Sequence, residues 1–305
     1  MNFLVSATSL NLRSEPRVTA SNRIAVLPQG QRVSKVAEAT QAGWWQIATV
    51  LDGLSIQGFV ASQFLEADKA VVPPTPAAPV SVSSAPAVHL AENRSEVTPN
   101  STSRAFPIGD ARRPARAAGT AVTRIKQLRS IISYLDVENG ARYQRGNGNT
   151  YCNIYAYDYC YLSGVYLPRV WWNAPALVDL AIGRPVAIKY GDTVDELNAN
   201  SLNNWFRDFG GSFGWTRVAG LEALQDCANE GGVAVISAQR KELNRSGHIC
   251  LVAPESLTQK ATRSAGVVAL PLMSQAGATN FSYGTGTRAW WTGAEFRTFS
   301  FWIHE

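Results

Sequence analysis

Gly148-Asn149-Thr150-Tyr151-Cys152-Asn153-Ile154-Tyr155-Ala156 is the stretch on which the reading turns. A Gly/Asn-rich turn runs into a helix, with a cysteine near the junction. Ninety-odd residues later, Ser246-Gly247-His248-Ile249-Cys250-Leu251-Val252 takes a turn into an apolar strand. The free thiol is a poor nucleophile near neutral pH, because its pKa near 8.5 leaves little thiolate. The positive end of a helix favours the anion, and an imidazolium favours it more. Asn149 and Thr150 are both good N-cap residues, so the sequence predicts a helix from Thr150 to Leu162 with Cys152 in its first turn. The exposed N–H groups there also suit an oxyanion, at about 3 kcal/mol per donor. Cys152 is therefore the candidate nucleophile and His248 the candidate base. A buried apolar cysteine is the bland alternative for Cys152, and a satisfied strand-end histidine is the alternative for His248.

The rest of the cysteine and histidine inventory narrows the chemistry. Cysteines stand at 152, 160, 227 and 250, and no pair has the Cys-x2-Cys spacing of a zinc site. Cys152 and Cys160 lie about 12 Å apart along one helix axis, beyond disulfide reach. Cys160, Cys227 and Cys250 lack a comparable setting and read as core. The histidines are His89, His248 and His304. His89 falls in a stretch that reads as disordered and His304 is next to last, so a His-built metal site is not expected, and no cofactor is called for. The composition, 46% hydrophobic and 17% charged with a formal charge of +5, is that of a soluble globular protein. The charge suits adhesion to an anionic polymer and is too dispersed to argue for nucleic acid. No apolar run approaches a membrane span. Met1-Asn2-Phe3-Leu4-Val5-Ser6 has no basic n-region, so no secretory signal is read.

Three segments emerge along the chain. Residues 1–66 hold short strands at close spacing, which argues for a small all-β barrel. These are Leu10-Asn11-Leu12-Arg13-Ser14-Glu15-Pro16, Ile24-Ala25-Val26-Leu27-Pro28-Gln29-Gly30, Arg32-Val33-Ser34-Lys35-Val36, Gly43-Trp44-Trp45-Gln46-Ile47-Ala48 and Gly58-Phe59-Val60-Ala61-Ser62. Residues 67–117, including Val72-Pro73-Pro74-Thr75-Pro76-Ala77-Ala78-Pro79, cannot bury enough apolar surface to order themselves and read as a flexible linker. Arg112, Arg113 and Arg116 there are read as a solvated tether, with contact to an anionic surface as the alternative. Residues 118–305 carry helical spacing at Ala121–Leu135, the helix of Cys152, and helices at Ser201–Gly210 and Val218–Asn229. Strands are expected at Val233–Ser237, His248–Val252, Val267–Met273 and Phe296–Ile303. Helices followed by an antiparallel run of strands is an α+β pattern.

The first segment resembles a bacterial SH3 domain through its Asn-Leu-Arg-Ser-x-Pro opening, Leu-Pro-x-Gly turn, Gly-Trp-Trp strand and Gly-Phe-Val-x-Ser end. Such domains attach enzymes to peptidoglycan. The blocks Asn149–Tyr155 and Gly247–Val252 resemble the two catalytic blocks of papain-like cell-wall cysteine amidases of the NlpC/P60 and CHAP kind, with the nucleophile at Cys152 and the base at His248. The segment Gly164–Asn173 departs from ordinary NlpC/P60 enzymes. The resemblance implies a peptidoglycan hydrolase acting on a stem-peptide amide in the periplasm or at the wall, by an export route not visible in this chain. It also implies an immunity or inhibitor protein as partner if the chain is a toxin. A cysteine protease or acyl transferase acting on protein, and a non-catalytic wall-binding protein, are the rival functions. Which stem-peptide bond is cut, and whether the protein is a housekeeping enzyme, a phage lysin or a toxin, are left open.

A base histidine needs a third group to orient it. Glu255 lies roughly 23 Å along an extended strand from His248. If Val267–Met273 pairs with the His248 strand as a hairpin, Ser274 or Gln275 falls beside the imidazole. The resembled amidases accept Asn, Gln, His or Glu there, which selects Gln275. Trp171, Trp172 and Trp290-Trp291 either line a sugar–peptide groove or pack as core. Trp44 and Trp45 are expected to alternate, one inward and one outward, with Trp45 a candidate ligand contact. Trp171, Trp172 and Trp45 are thus the candidate substrate-binding residues.

Overall fold

The computed structural model describes residues 2–19, 22–51, 54–68, 85–90, 104, 106–146 and 148–305. It divides into two compact units, residues 1–79 and 80–305. Most of the expected linker, including Val72–Pro79, lies outside the described residues.

The first unit is one antiparallel sheet in the order β3-β2-β6-β5-β4-β1-β7. Its strands are β1 (Asn2–Val5), β2 (Ser9–Arg13), β3 (Arg23–Pro28), β4 (Arg32–Glu38), β5 (Trp44–Leu51), β6 (Leu54–Ala61) and β7 (Leu65–Ala67). Alternation puts Leu10, Leu12, Leu27, Val33, Ile47 and Val60 into a shared core with Phe3 and Val5. Gly58 is required where β6 crosses β2, since a Cβ there would stand 2.7 Å from the Arg13 carbonyl oxygen. Trp45 is the inward tryptophan, contrary to its assignment as a ligand contact. Its ring packs 4.7 Å from Phe3, and the Lys35 ammonium lies 4.0 Å from its centroid.

The second unit is built on a six-stranded sheet in the order β10-β17-β11-β12-β15-β16. Its elements in chain order are α1 (Ala121–Leu135), α2 (Cys152–Leu162), β8 (Val170–Trp172), α3 (Ala174–Ala181), β9 (Val194–Glu196), α4 (Ala199–Asp208), β10 (Thr216–Val218), α5 (Leu221–Asn229), β11 (Val233–Arg240), β12 (His248–Val252), β13 (Thr262–Ser264), β14 (Val267–Leu270), β15 (Met273–Gln275), β16 (Phe281–Gly284) and β17 (Phe296–His304). Both faces of the sheet are covered, so β11 is buried from Val233 to Gln239 and opens on the apolar run Val233–Ile236. Val233, Val235, Ile249 and Leu251 face the core shared with α1, α2 and α4. Ala234, Ile236, Cys250, Val252 and Met273 face a second core with Leu224 of α5, Trp291 and Phe301.

Three expectations are corrected. First, the expected linker is partly packed. Ala85 and Val88 are buried in the larger core, the Tyr166 hydroxyl accepts from the Val88 N–H at 2.8 Å, and Trp172 Nε1 donates to the Pro86 carbonyl at 2.8 Å. His89, expected to be disordered, lies edge-on to Tyr166. Arg116 donates to the carbonyls of Ser163 and Gly231, at 2.9 and 2.8 Å. Arg113 donates to the Asp110 carbonyl and Arg112 pairs with the Asp110 carboxylate. Arg116 fastens the segment to the unit, whereas Arg112 and Arg113 bond back to Asp110 within the segment. Second, α2 begins at Cys152 itself. Its cap is Tyr151, without a side-chain capping bond. Third, Val267–Met273 is not one strand. Pro271 supplies no N–H for a ladder, so β14 pairs with β13 and only β15 pairs with β12.

The core beneath α2 contains an ion pair. Asp158 and Arg142 are fully buried, 2.6 Å apart from Oδ2 to Nε. Arg142 also donates to Asp158 Oδ1 and to the Phe106 carbonyl, and the Tyr143 hydroxyl donates to Asp158 Oδ2. Burial holds the Asp158 carboxyl above its ordinary range, with Arg142 and Tyr143 pulling the other way. Removing one partner of such a pair leaves an uncompensated buried charge. Asp158→Asn is expected to cost about 3–5 kcal/mol of unfolding free energy, measured by chemical denaturation. The double variant Asp158→Leu/Arg142→Met is expected to cost less than the single. A neutral Asp158→Asn would contradict this account.

Candidate active site

Cys152 is the first residue of α2 and His248 the first residue of β12. α2 lies on the face of the sheet that carries Ile249 and Leu251. The packing of α2 on β12 brings thiol and imidazole close enough for each to shift the other's titration. Cys152 is 2% exposed.

The imidazole is oriented by Gln275. His248 Nε2 lies 2.8 Å from Gln275 Oε1, and Gln275 Nε2 donates to the Thr279 carbonyl at 3.1 Å. Because the amide nitrogen is committed to Thr279, its oxygen faces the ring. That arrangement has Nε2–H donating to Gln275 and leaves Nδ1 for the thiol. Gln275 reaches the ring from a different register than the expected hairpin. The observed pairs are Leu251↔Ser274 and Val252↔Met273, which puts Gln275 diagonally across from His248. Ser274, the alternative, projects to the helix face, where its hydroxyl lies 2.6 Å from Tyr155 Oη. Glu255, the other alternative, accepts from Arg263, Asn229 and the Ala261 N–H. These bonds pull it down to about 2, and it takes no part in the site.

Two glycines and a tryptophan fix the ring. A Cβ on Gly247 would stand 2.5 Å from both the Ala238 carbonyl oxygen and Asn200 Oδ1. The close approach that Gly247 serves is thus to β11 and α4, not to a substrate. Asn200 accepts from the Arg240 N–H at 2.9 Å and donates to the Arg245 carbonyl at 2.8 Å, anchoring the turn into β12. A Cβ on Gly277 would stand 3.2 Å from His248 Cε1 and from Gln275 Nε2. Trp290 covers the imidazole edge-on at 4.5 Å between centroids. Of the sequence candidates, the structure unites Cys152, His248 and Gln275. It does not bring Trp171 and Trp172 to a groove. Both are 4% exposed, and Trp171 is enclosed by Tyr166, Trp205, Phe209 and Phe213. Asn200 and Gly277 were not singled out, and no local motif marks them; Trp290, weighed in the sequence as groove or core, packs on the imidazole.

The electrostatics move the two groups towards each other. Burial raises the Cys152 thiol, but the adjoining His248 charge, its hydrogen bond and the N–H groups of Ile249 and Asn153 outweigh burial and lower it overall. Burial lowers His248, but the Cys152 charge and bonds from Cys152 and Gln275 raise it overall, against the charge of Arg240. The other cysteines go the opposite way: burial pushes Cys160 and Cys250 up, and Cys227 up to about 11. Of the four thiols only that of Cys152 is lowered, the direction that favours a nucleophile. A cleft of about 240 Å³ opens beside it, lined by Asn149, Thr150, Asn153, Arg104, Arg169 and Glu196 among others. Among the described residues no group of three or more His, Cys, Asp or Glu side chains is placed to hold a metal ion. No helix there is long and apolar enough to cross a membrane.

No family model matches the chain, and no curated protein matches it. Among solved structures, NlpC2 from Trichomonas vaginalis aligns at 10% identity over 96% of this chain and 74% of that one, with a TM-score of 0.23. A superposition of that quality carries no argument about this chain.

Because the thiol is lowered and the imidazole raised, thiol alkylation should respond to pH in two steps. The rate with iodoacetamide is expected to rise at a pH below the ordinary thiol range and to plateau. It changes again only where the imidazolium loses its proton, above the ordinary histidine range; the two steps belong to the pair. Cys152→Ala should abolish the low-pH step. A single step near the free-thiol value would overturn the assignment of an ion pair.

Proposed function

We propose that the protein is a cysteine amidase or endopeptidase of peptidoglycan, with Cys152 as nucleophile, His248 as general base and acid, and Gln275 as the orienting group. The observation that carries the reading is a buried thiol electrostatically coupled to an imidazole whose far nitrogen is held by an anchored amide. The first unit is read as an SH3-like wall-binding barrel. The second is read as a papain-like α+β domain, in keeping with a nucleophile at a helix start packed on an antiparallel sheet.

In this mechanism the Cys152 thiolate attacks the carbonyl carbon of a stem-peptide amide, and the carbonyl electrons move to oxygen. The Cys152 N–H, in the first turn of α2, is the donor nearest to that developing charge, at about 3 kcal/mol for such a donor. The tetrahedral intermediate collapses as His248 gives its proton to the departing nitrogen, leaving a thioester on Cys152. Water then attacks the thioester while His248 takes its proton. The acid departs and the thiolate–imidazolium pair is restored. Gln275 keeps Nε2 protonated throughout, so that Nδ1 alone moves the proton.

Muropeptide release from purified sacculi, followed by mass spectrometry, tests the activity and identifies the bond. Cys152→Ala and His248→Ala are expected to lose turnover almost completely, since nucleophile and base act as a unit. Gln275→Ala should cost less, and Ser274→Ala should act on stability and not on the pH profile. Substantial turnover by purified Cys152→Ala would sink the nucleophile assignment.

The targeting role has its own test. Deleting residues 1–66 should weaken action on intact sacculi and spare small soluble muropeptides, because a bound module raises the local concentration of the enzyme on its polymer. Equal action of both forms on sacculi across a range of salt would remove that role.

A further inference from the structure

We propose that the open edge of β17, next to β10, binds an extended acidic segment of a partner protein, which adds to the six-stranded sheet in line with β10. The surface stands apart from the Cys152 site, and the proposal does not depend on the amidase chemistry. Ala238 of β11 has His248 on one side and Phe299 of β17 on the other, so the edge lies beyond the strand that borders the imidazole.

β17 is paired with β11 along its length, from Arg240↔Phe296 to Val233↔His304. On its other side β10 covers only the far end, through Thr216↔Ile303, Arg217↔Trp302 and Val218↔Phe301. The chain then leaves the sheet through Ala219 and Gly220 into α5. Among the described residues nothing takes the place of β10 beside residues 297–300. Alternate residues of an antiparallel strand turn their N–H and C=O to opposite sides. This stretch, about 13 Å long at ~3.4 Å per residue, therefore presents both donors and acceptors outward.

Two hollows follow the open edge. Where β10 stops, one of about 380 Å³ is lined by Arg217, Val218, Ala219, Phe299, Ser300 and Phe301. Further along, one of about 340 Å³ is lined by Trp291, Gly293, Arg297 and Phe299 among others. Phe299 belongs to both. It is 37% exposed, with its ring 5.4 Å from that of Phe301. An aromatic ring left open between two hollows on an unpaired strand is a seat for an apolar side chain of an added strand.

Charge selects the occupant. Arg217 and Arg297 are exposed, stand towards opposite ends of the open stretch, and form no ion pair among the described residues. Glu295 brings one carboxylate, which lies over Gly293, so positive charge exceeds negative along the edge. A second copy of this chain would gather four guanidiniums on one seam, and charges of one sign keep like edges apart. The same charges attract an acidic strand. A polyanion without a peptide backbone would satisfy the guanidiniums and leave the N–H and C=O groups of the edge unpaired. A polypeptide satisfies both. The fitting segment carries acidic residues towards its ends and an apolar residue between them, against Phe299.

The test titrates the full-length protein with a fluorescently labelled, end-blocked peptide, Asp-Glu-Val-Thr-Ile-Glu-Asp, followed by anisotropy. Binding is expected with a Kd below about 1 mM. An analogue with Lys in place of each acidic residue should bind at least about tenfold more weakly. Two further analogues carry N-methyl groups on alternate residues, one in each phase, and at least one of them should lose binding by about tenfold, because it cannot complete the ladder. The double variant Arg217→Glu/Arg297→Glu should exchange its preference to the Lys analogue, an outcome that an unfolded protein would not give. Should that variant bind neither peptide, Arg217→Gln/Arg297→Gln decides: weaker binding of the acidic peptide sustains the proposal, and unchanged binding overturns it. No binding of the acidic peptide to wild-type protein, equal binding of the Lys analogue, or no loss from either methylated analogue would each overturn it. So would inorganic polyphosphate binding at this edge with the same dependence on Arg217 and Arg297, if the methylated peptides bind undiminished. Sedimentation tests the remaining occupant: a wild-type dimer that Phe299→Asp dissolves would make a second copy the partner and overturn the proposal.

Discussion

The buried pair of Asp158 with Arg142 is the constraint on which the placement of the nucleophile depends. Asp158 stands six residues after Cys152 on α2, and its carboxylate takes bonds from Arg142 and Tyr143, which belong to the turn that leads into the helix. The same Arg142 donates to the Phe106 carbonyl. One carboxylate thus ties the helix, the turn ahead of the nucleophile and the segment from residue 106 into a single packed body. Such a pair contributes little net stability against a well-packed apolar alternative, because two charges have left water. Its consequence is positional: any structure that splits helix from turn leaves a charge bare in the core. The first turn of α2 has no side-chain cap of its own, so the pair does the fixing that a cap would do locally.

The imidazole is constrained by a different means, the absence of side chains. Gly277 lies against His248, where a methyl group would meet His248 Cε1 and Gln275 Nε2, and Gly247 lets the turn ahead of the ring close on β11 and α4. Trp290 closes a further side. The ring can turn only within the space these leave, and the anchored amide of Gln275 selects one orientation within it. Packing defines the cage, and a hydrogen bond defines the tautomer. The opposed shifts of Cys152 and His248 follow, since a buried thiol and a half-buried imidazole stabilise their charges against each other where water is largely excluded.

The parts legible in the sequence are those written in short-range chemistry. α1, β12 and β17 fall where apolar spacing and turn residues predict them, and the pairing of Cys152 with His248 needed only a turn–helix and a turn–strand junction. Gln275 was reached through a hairpin that is not there. Pro271 divides the expected strand, β14 pairs with β13, and the short β15 alone continues beside β12. Gln275 still comes beside His248 because it is brought there along a diagonal of the sheet, which several registers share. The docked segment at residues 85–90 was invisible for a composition reason. Ala, Pro and Val there look like the neighbouring tether, and their order comes from partners far along the chain, Tyr166 and Trp172. The tryptophans misled for the complementary reason: an aromatic pair has the same sequence signature in a groove as in a core, and only burial separates them.

The docked segment also satisfies polar atoms of the second unit's own core. Pro86 and Val88 supply backbone groups to Trp172 Nε1 and Tyr166 Oη, which would otherwise be polar atoms buried against a core. Other polar atoms of this aromatic cluster, Trp171 Nε1 and Trp205 Nε1, have no partner, so the cluster already contains unsatisfied donors. Withdrawing residues 85–90 would add two more buried polar atoms and uncover Ala85 and Val88. Each unsatisfied group costs about 1–3 kcal/mol. The segment is therefore part of the second unit's core in the same sense as a strand would be, although it makes no ladder. The boundary that matters physically falls before residue 85, ahead of the point where composition alone would end the linker.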